Sequence, residues 1–415
     1  MLLHLLGLVA LLQSPELFAP GIVTKPDTEE AFGSFSPNGR EFYFTIHRPD
    51  FSRHRIVVSR FDGKTWSEPT PLSFSGRYND REPRLSPDGK RLYFSSNRPT
   101  QAGDTARRRD LDIWFVDRNG SGAWGTPRHI EGPVNGPGAD FSPSQTANGT
   151  LYFISIRPGG VGGPGPNGWR AKPIDAANGV YGSVENLGPA INNGTETNVF
   201  VMADERLMFV SRDGSPDGFG GDDLFMAEQQ ANVWQPMQHL AKPVNSAEFE
   251  YGPMVSPDGR WFYFTSHRMN GDGDIFRMPL AALKVERETT RAERVAVHRA
   301  LSDYLEGVYD GDSAKLERSV RPDLAKYGFA RASDSRTYAG ESATFSDAIA
   351  AAKRFKAENR STPATAPRDI TIFEIQDQTA SAKIQASWGT EYVLLGKYGG
   401  RWMISHILWQ SPPPR

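Results

Sequence analysis

An arginine and an acid recur at matched places along this chain, and the pairing they permit is its first chemical signal. Take Tyr43, Tyr93, Tyr152, Met208 and Tyr263 as anchors. Arginine follows five residues later at Arg48, Arg98, Arg157 and Arg268, and four later at Arg212. An acid precedes by thirteen residues at Glu30, Asp80 and Glu250, and by twelve at Asp140 and Glu196. Guanidinium and carboxylate match as a two-pronged, charge-assisted hydrogen-bonded pair. Such pairs could tie neighbouring repeat units together, or form a crown that binds an anionic or peptide partner. Repetition in nearly every unit favours the structural role, since an active site is usually asymmetric. Two units add a histidine before the arginine, His47 and His267. If the units close into a ring these two become neighbours, which would suit a metal or acid–base site. Strand alternation could equally turn them into the sheet packing.

Other candidates are weaker. Asp217 to Asp223 and Asn270 to Asp274 hold hard oxygen ligands but lack calcium-loop spacing. Arg107 to Arg109 is a small basic cluster that reads as a solvated loop tip. A glycosidase needs two carboxyl groups flanking the bond, and Asp80, Asp140 or Glu250 could supply them. The arginines expected beside them argue against it, because a nearby cation lowers a carboxyl pKa and spoils a general acid. No G-x-S-x-G, H-E-x-x-H, Walker or C-x-x-C motif occurs. There is no cysteine among the 415 residues, so disulfides and thiolate metal sites are excluded. No cofactor and no metal is expected.

The elements that must carry these residues are legible from a repeat. Ser-Pro-Asn/Asp-Gly followed by an aromatic strand occurs at Ser36–Phe44, Ser86–Phe94 and Ser256–Phe264, with degenerate copies at Thr146–Phe153 and Asp204–Phe209. The anchor spacings are 50, 59, 56 and 55 residues, a period that signals repeat architecture. Proline fixes φ and glycine accepts positive φ, so each motif is a tight turn between strands. A third strand follows in each unit. A fourth begins at an aromatic with an aliphatic six residues on: Trp66/Leu72, Trp124/Ile130, Tyr181/Leu187 and Trp234/Leu240. Four meandering strands make a propeller blade. The fifth unit lacks its fourth strand, and Pro15 to Thr24 has the length and apolarity to replace it. The expectation is an all-β propeller over 15–284 with five four-stranded blades, six being the alternative, closed by the N-terminal strand so that no sheet edge is left open.

The motif S-P-[DN]-G-x-x-[LF]-Y-F-x-x-x-R-P, with a Gly-rich loop and D-[IL]-[FYW] after it, resembles the TolB-type repeat of bacterial periplasmic proteins. The resemblance implies a propeller and a periplasmic or secreted location, and says little about activity. Residues 1–14 hold the apolar run Leu2 to Leu12, a candidate signal segment too short to span a bilayer as a helix. Net charge is −2 with no basic stripe, so nucleic acid is not an expected partner, and no membrane span is expected.

Composition changes after Leu283. Residues 285–415 read as a small α+β domain: helices over the Val297/Leu301/Leu305/Val308 stripe, over Asp312 to Phe329, and over Thr344 to Asn359, then four strands with a Gly-Gly hairpin at Lys397–Trp402. The helix with Tyr304 and Tyr309, the Asp-Gly-Asp and the closing WMISHILW resemble the nuclear-transport-factor-type, ketosteroid-isomerase-like cone, nearest its putative lumazine-binding subgroup. That resemblance implies a pocket for a small apolar ligand or a homodimer interface. Tyr309, Tyr327, Tyr392 and His406 are candidates by residue type. The reading is an exported, non-enzymatic protein binding a protein, peptide or glycan at the propeller rim. The alternative is an enzyme: a channel glycoside or peptide hydrolase, or isomerase-like chemistry in the cone.

Overall fold

The computed structural model describes residues 14–26, 28–47, 54–101, 108–163, 165–215, 218–269, 271–331, 337–358, 362–363 and 365–412. Arg48, Arg107, Asp217, Asn270 and the apolar run at 2–12 lie outside them. The chain divides into two compact units between Glu286 and Arg287.

The first unit is all β. Among the described residues it holds five antiparallel sheets. The first contains Glu29–Phe35, Glu41–His47, His54–Arg60 and Thr70–Pro71. The second contains Asp80–Leu85, Arg91–Ser96, Asp112–Asp117 and Arg128–His129. The third contains Asp140–Gln145, Leu151–Ser155, Asn167–Asp175 and Val180–Asn186. The fourth is built on Thr195–Val201, Leu207–Asp213 and Asp223–Gln230, with Val233–Trp234 and Gln238–His239 both pairing with its third strand. The fifth contains Glu250–Val255, Trp261–Ser266 and Asp274–Pro279, and Glu16–Leu17 from the N-terminal segment is its fourth strand. The innermost strand of each sheet contacts that of the next, and the fifth contacts the first.

The turn motif explains the regularity. Ser86 Oγ accepts from Arg91 N at 3.0 Å and donates to Asp88 Oδ1 at 2.6 Å, while Gly89 sits at φ 71°. Ser36 and Ser256 repeat the bonds. Each innermost strand carries an irregularity near its start. In four of them the residue two places after the crown acid adopts positive φ: Phe32, Glu82, Ser142 and Gly252. Around these bulges the sheets are stitched. Glu82 N donates to Thr45 Oγ1 at 3.1 Å, Ser142 N to Glu82 Oε2 at 2.8 Å, Val199 N to Ser142 Oγ at 3.1 Å, and Gly252 N to Asn198 Oδ1 at 3.2 Å. A bulge frees backbone donors from the ladder, and here side chains of the adjacent sheet accept them.

The second unit is α+β. A six-stranded sheet runs in the order Ala339–Ala343, Val320–Ala330, Arg401–Gln410, Gly389–Tyr398, Thr379–Ala386, Asp369–Ile375. Helices α1 (Glu288–Asp310), α2 (Ser313–Ser319) and α3 (Phe345–Ala357) accompany it. Gly311 ends α1 in the left-handed region, and Asp312 caps α2 by accepting from Ala314 N and Lys315 N. The expected second helix is cut short. Pro322 cannot donate within a helix, and the chain continues as a strand parallel to Arg401–Gln410. No described helix is long and apolar enough to cross a membrane.

Candidate active site

Four acid–arginine pairs form. Asp80–Arg98 and Asp140–Arg157 close at 2.6 and 2.5 Å, and Glu196–Arg212 and Glu250–Arg268 at 3.2 Å each. Each pair joins the first strand of a sheet to the end of the second strand of the same sheet, not one blade to its neighbour. The acids are 0–1 % exposed and the arginine side chains 4–18 %. Arg157 and Arg268 also donate to the carbonyls of Pro133 and Val134, and of Pro243 and Val244, fastening the segment that enters from the preceding sheet. Their faces lie on Phe153 and Trp169, and on Phe264 and Phe276. These guanidinium groups are spent inside the sheets.

Glu30 is the crown acid of the first sheet, whose arginine, Arg48, lies outside the described residues. It accepts from Thr28 Oγ1 and from Lys25 N, the latter at 3.3 Å, and forms no ion pair with a described residue. Burial pushes its carboxyl up to about 8.

Where the first sheet abuts the fifth, a polar cluster converges on Glu29. Tyr251 Oη donates to Glu29 Oε1 at 3.2 Å. His47 Nδ1 and His267 Nε2 stand 3.7 and 3.8 Å from the same oxygen. Tyr251 Oη and His267 Nε2 are 3.3 Å apart. His54 stacks on His47 at 4.2 Å between ring centroids. Phe32, held at φ 57°, lies against Tyr251. Gly273 closes the cluster from behind: a Cβ there would come within 2.9 Å of both Glu29 Cγ and Tyr251 Oη. His47 and His267 are thus neighbours, and a carboxyl and a phenol join them.

Burial raises the Glu29 carboxyl; the Tyr251 hydrogen bond opposes that rise and the Asp272 charge adds to it. Burial raises carboxyls of the crown too, Glu196 and Glu250, where Arg212 and Arg268 oppose the rise; at the junction a phenol opposes it instead. Burial, with the charges of His54, Arg81 and His267, holds His47 down to about 3, so it is neutral. Burial also lowers His267. Burial and the Glu29 charge push the Tyr251 phenol well above its ordinary range. Asp222, hydrogen-bonded by Thr197 at 2.6 Å, is raised to about 7 by burial, with Asp213 and Asp223 adding. Asp274 rises to about 6 through burial and Asp272. A carboxyl of raised pKa beside a phenol and neutral imidazoles is placed to deliver a proton. Among the described residues no group of three or more His, Asp or Glu is placed to hold a metal ion.

Glu29, Tyr251, His54 and Asp222 carry no motif. The signal of Glu29 and Tyr251 lies beside the crown acid, where the repeats disagree: Glu29, Asn79, Ala139, Thr195 and Phe249 before it, and Ala31, Arg81, Phe141, Thr197 and Tyr251 after it. The Asp of D-[IL]-F does more than close a turn. Asp112 pairs with His129 at 2.6 Å and Asp223 with His239 at 3.2 Å.

In the second unit, Tyr309 is a satisfied core residue: its hydroxyl donates to Pro367 O at 2.6 Å and accepts from Ser387 N at 2.9 Å. Tyr327, Tyr392 and His406 are exposed. The polar group inside is another one. Lys326 Nζ donates to Glu391 Oε1 at 2.6 Å and to Tyr304 Oη at 2.8 Å, and Tyr304 donates to Glu391 at 3.0 Å. Tyr304 and Lys326 line a cavity of about 840 Å³ with Val308, Leu324, Phe355 and Trp388.

The family model described as "Putative lumazine-binding" matches residues 292–410. The C-terminal unit is a domain of that type. No curated protein matches the chain. Among solved structures, an NTF2-like protein of unknown function from Silicibacter pomeroyi is 16 % identical at a TM-score of 0.24, over 29 % of this chain and 98 % of its own. A thermostable family-43 glycoside hydrolase is 14 % identical at 0.41, over 64 % of this chain and 96 % of its own. The catalytic domain of a family-62 α-L-arabinofuranosidase from Coprinopsis cinerea is 10 % identical at 0.41, over 64 % and 97 %.

Proposed function

We propose that the first unit is a hydrolase of glycosidic bonds, with Glu29 as its general acid at the first–fifth sheet junction. The observation that supports this is the environment of Glu29: a buried carboxyl of raised pKa, hydrogen-bonded by Tyr251 and flanked by neutral imidazoles. It contrasts with Asp80, Asp140 and Glu250, each tied to a guanidinium. The rim-binding reading rested on that crown, whose arginines are engaged internally. Among the described residues the cluster holds no serine nucleophile beside its histidines, so peptide hydrolysis here would have to run through water activated by a carboxyl pair. Glycosidic cleavage needs only an acid and a second carboxylate. In the proposed step, Glu29 gives its proton to the leaving-group oxygen as the anomeric C–O bond breaks. Water bonds to that carbon, and its proton goes to a second carboxylate. Asp222 and Asp272 are the candidates, being the acids whose charges act on this cluster. The neutral His47 and His267 add no positive charge beside Glu29.

The reading includes a TolB-type ring of five blades, supported by the repeat and the cyclic contacts of the innermost strands. A sixth sheet in an experimental structure would contradict it. The function is tested by assaying the full chain on a panel of aryl glycosides. Wild type should turn over at least one member, and Glu29→Gln should lose about 10²–10⁴-fold while retaining its melting temperature. No turnover by wild type across the panel, or unchanged turnover by the variant, would refute it.

A further inference from the structure

The innermost strands end at the turns that follow Phe35, Leu85, Gln145, Val201 and Val255, at the opposite end of the sheets from the crown pairs. A cavity of about 250 Å³ opens at that end, lined by Ser34, Phe35, Arg84, Gln145, Phe200 and Met254 among others. Arg84 belongs to the second sheet, yet it reaches three others. Its Nη1 donates to Gly33 O of the first sheet at 3.1 Å and its Nη2 to Pro253 O of the fifth at 3.4 Å. Its guanidinium lies 4.8 Å from the Phe200 ring of the fourth. The residue is 9 % exposed.

What sets Arg84 apart is the missing anion. Arg91, Arg98, Arg157, Arg212 and Arg268 all contact a carboxylate. Arg84 has none among the described residues, and its Nε–H has no acceptor. The nearby Glu82 is engaged elsewhere, with Ser95 Oγ at 2.5 Å, Ser142 N at 2.8 Å and Arg81 at 3.5 Å. Burying a cation without a counter-charge is costly. That cost shows in the guanidinium, which burial lowers to about 10. A free Nε–H and the second hydrogen of the adjacent Nη form a side-on fork that matches a carboxylate. Ser34 supplies a further donor. Its Oγ accepts from Leu85 N at 2.9 Å, and its own proton has no acceptor among the described residues. The remaining wall is apolar, from Phe35, Phe200 and Met254.

We infer that this cavity is a binding site for a small organic carboxylate, its carboxyl group on Arg84 and Ser34 and its apolar body against Phe35, Phe200 and Met254. The site is independent of the Glu29 cluster. The shared chemistry is an oxyanion, and the apolar walls select a carboxylate with a hydrocarbon body over inorganic phosphate.

The test is calorimetric titration of the full-length protein at low salt with benzoate, acetate and inorganic phosphate. Wild type should bind benzoate saturably, and acetate and phosphate each at least about tenfold more weakly. Arg84→Met should weaken benzoate at least about tenfold, as loss of a charged bidentate contact implies. Ser34→Ala should weaken it by less. If Arg84→Met does not fold, Arg84→Lys keeps the charge but not the fork and must still weaken benzoate several-fold. Absence of saturable benzoate binding by wild type would overturn the assignment. So would unchanged binding in the arginine variants, and so would phosphate binding as tightly as benzoate.

Discussion

Glu29 and Glu30 are adjacent in one strand, so they project to opposite faces of the first sheet. Glu29 meets Tyr251 and the two histidines, and Glu30 occupies the crown position with Thr28 and the Lys25 amide as donors among the described residues. The consequence for Glu30 is a pH-dependent stability. Its folded pKa, about 8, lies above its unfolded value of about 4.5. The folded state therefore holds a proton that the unfolded state has lost. This contribution is fully present below about 4.5 and is lost as pH rises through about 8. The loss is on the order of a few kcal/mol. Glu30→Gln should flatten the fall in melting temperature between pH ~5 and ~8; an unchanged slope would place its origin elsewhere. The intact pairs predict a different response. Arg98→Ala leaves Asp80 buried and uncompensated and should cost about 3–5 kcal/mol, read as a lower melting temperature of the first unit. A neutral outcome would mean the crown is not what fastens the sheets.

The element that completes the ring is the shortest. Glu16–Leu17 adds two residues to the fifth sheet, with Glu16 opposite Arg277 and Leu17 opposite Phe276. What anchors it is Phe18, 2 % exposed and in edge contact with Phe42, Trp66 and Tyr263. It thus joins the first sheet to the fifth. Phe18→Ala should cost about 3–5 kcal/mol, measured by thermal melting, and a loss below 1 kcal/mol would show that this strand does not hold the ring. The sheets and this closing strand were legible because turn chemistry repeats with a fixed period and the fifth unit lacks a fourth strand. The helix expected to run to Phe329 was not, since Val320 and Leu324 fit either a helical stripe or the strand they form. Pro322 was the local signal against the helix. At the site, His47 and His267 were legible as departures from the repeat. Glu29 and Tyr251 were not, because they flank the aligned acid where no two units agree. Their partnership also needs ring closure, which brings residues 222 positions apart to 3.2 Å. Arg84 carried no signal either: its lack of a carboxylate among the described residues is a fact of tertiary packing.

At the scale of the whole molecule, each unit has its own core. Val297, Leu301, Tyr304, Ile384, Val393 and Ile404 belong to the second; the five sheets of the first are packed through separate clusters. The cavity beside Tyr304 and Lys326 belongs to the second unit, and the Glu29 cluster and the Arg84 cavity belong to the first. The central claim concerns proton donation by Glu29, so the most direct measurement varies how much the leaving group needs a proton. Full-length wild type and Glu29→Gln are compared on a pair of aryl glycosides sharing one sugar, one with a dinitrophenyl and one with a phenyl leaving group. Loss of a general acid should cost the phenyl substrate about 10²–10⁴-fold in kcat/KM and leave the dinitrophenyl substrate within about tenfold of wild type. Equal losses on both substrates, or no loss on the phenyl one, would contradict the role assigned to Glu29.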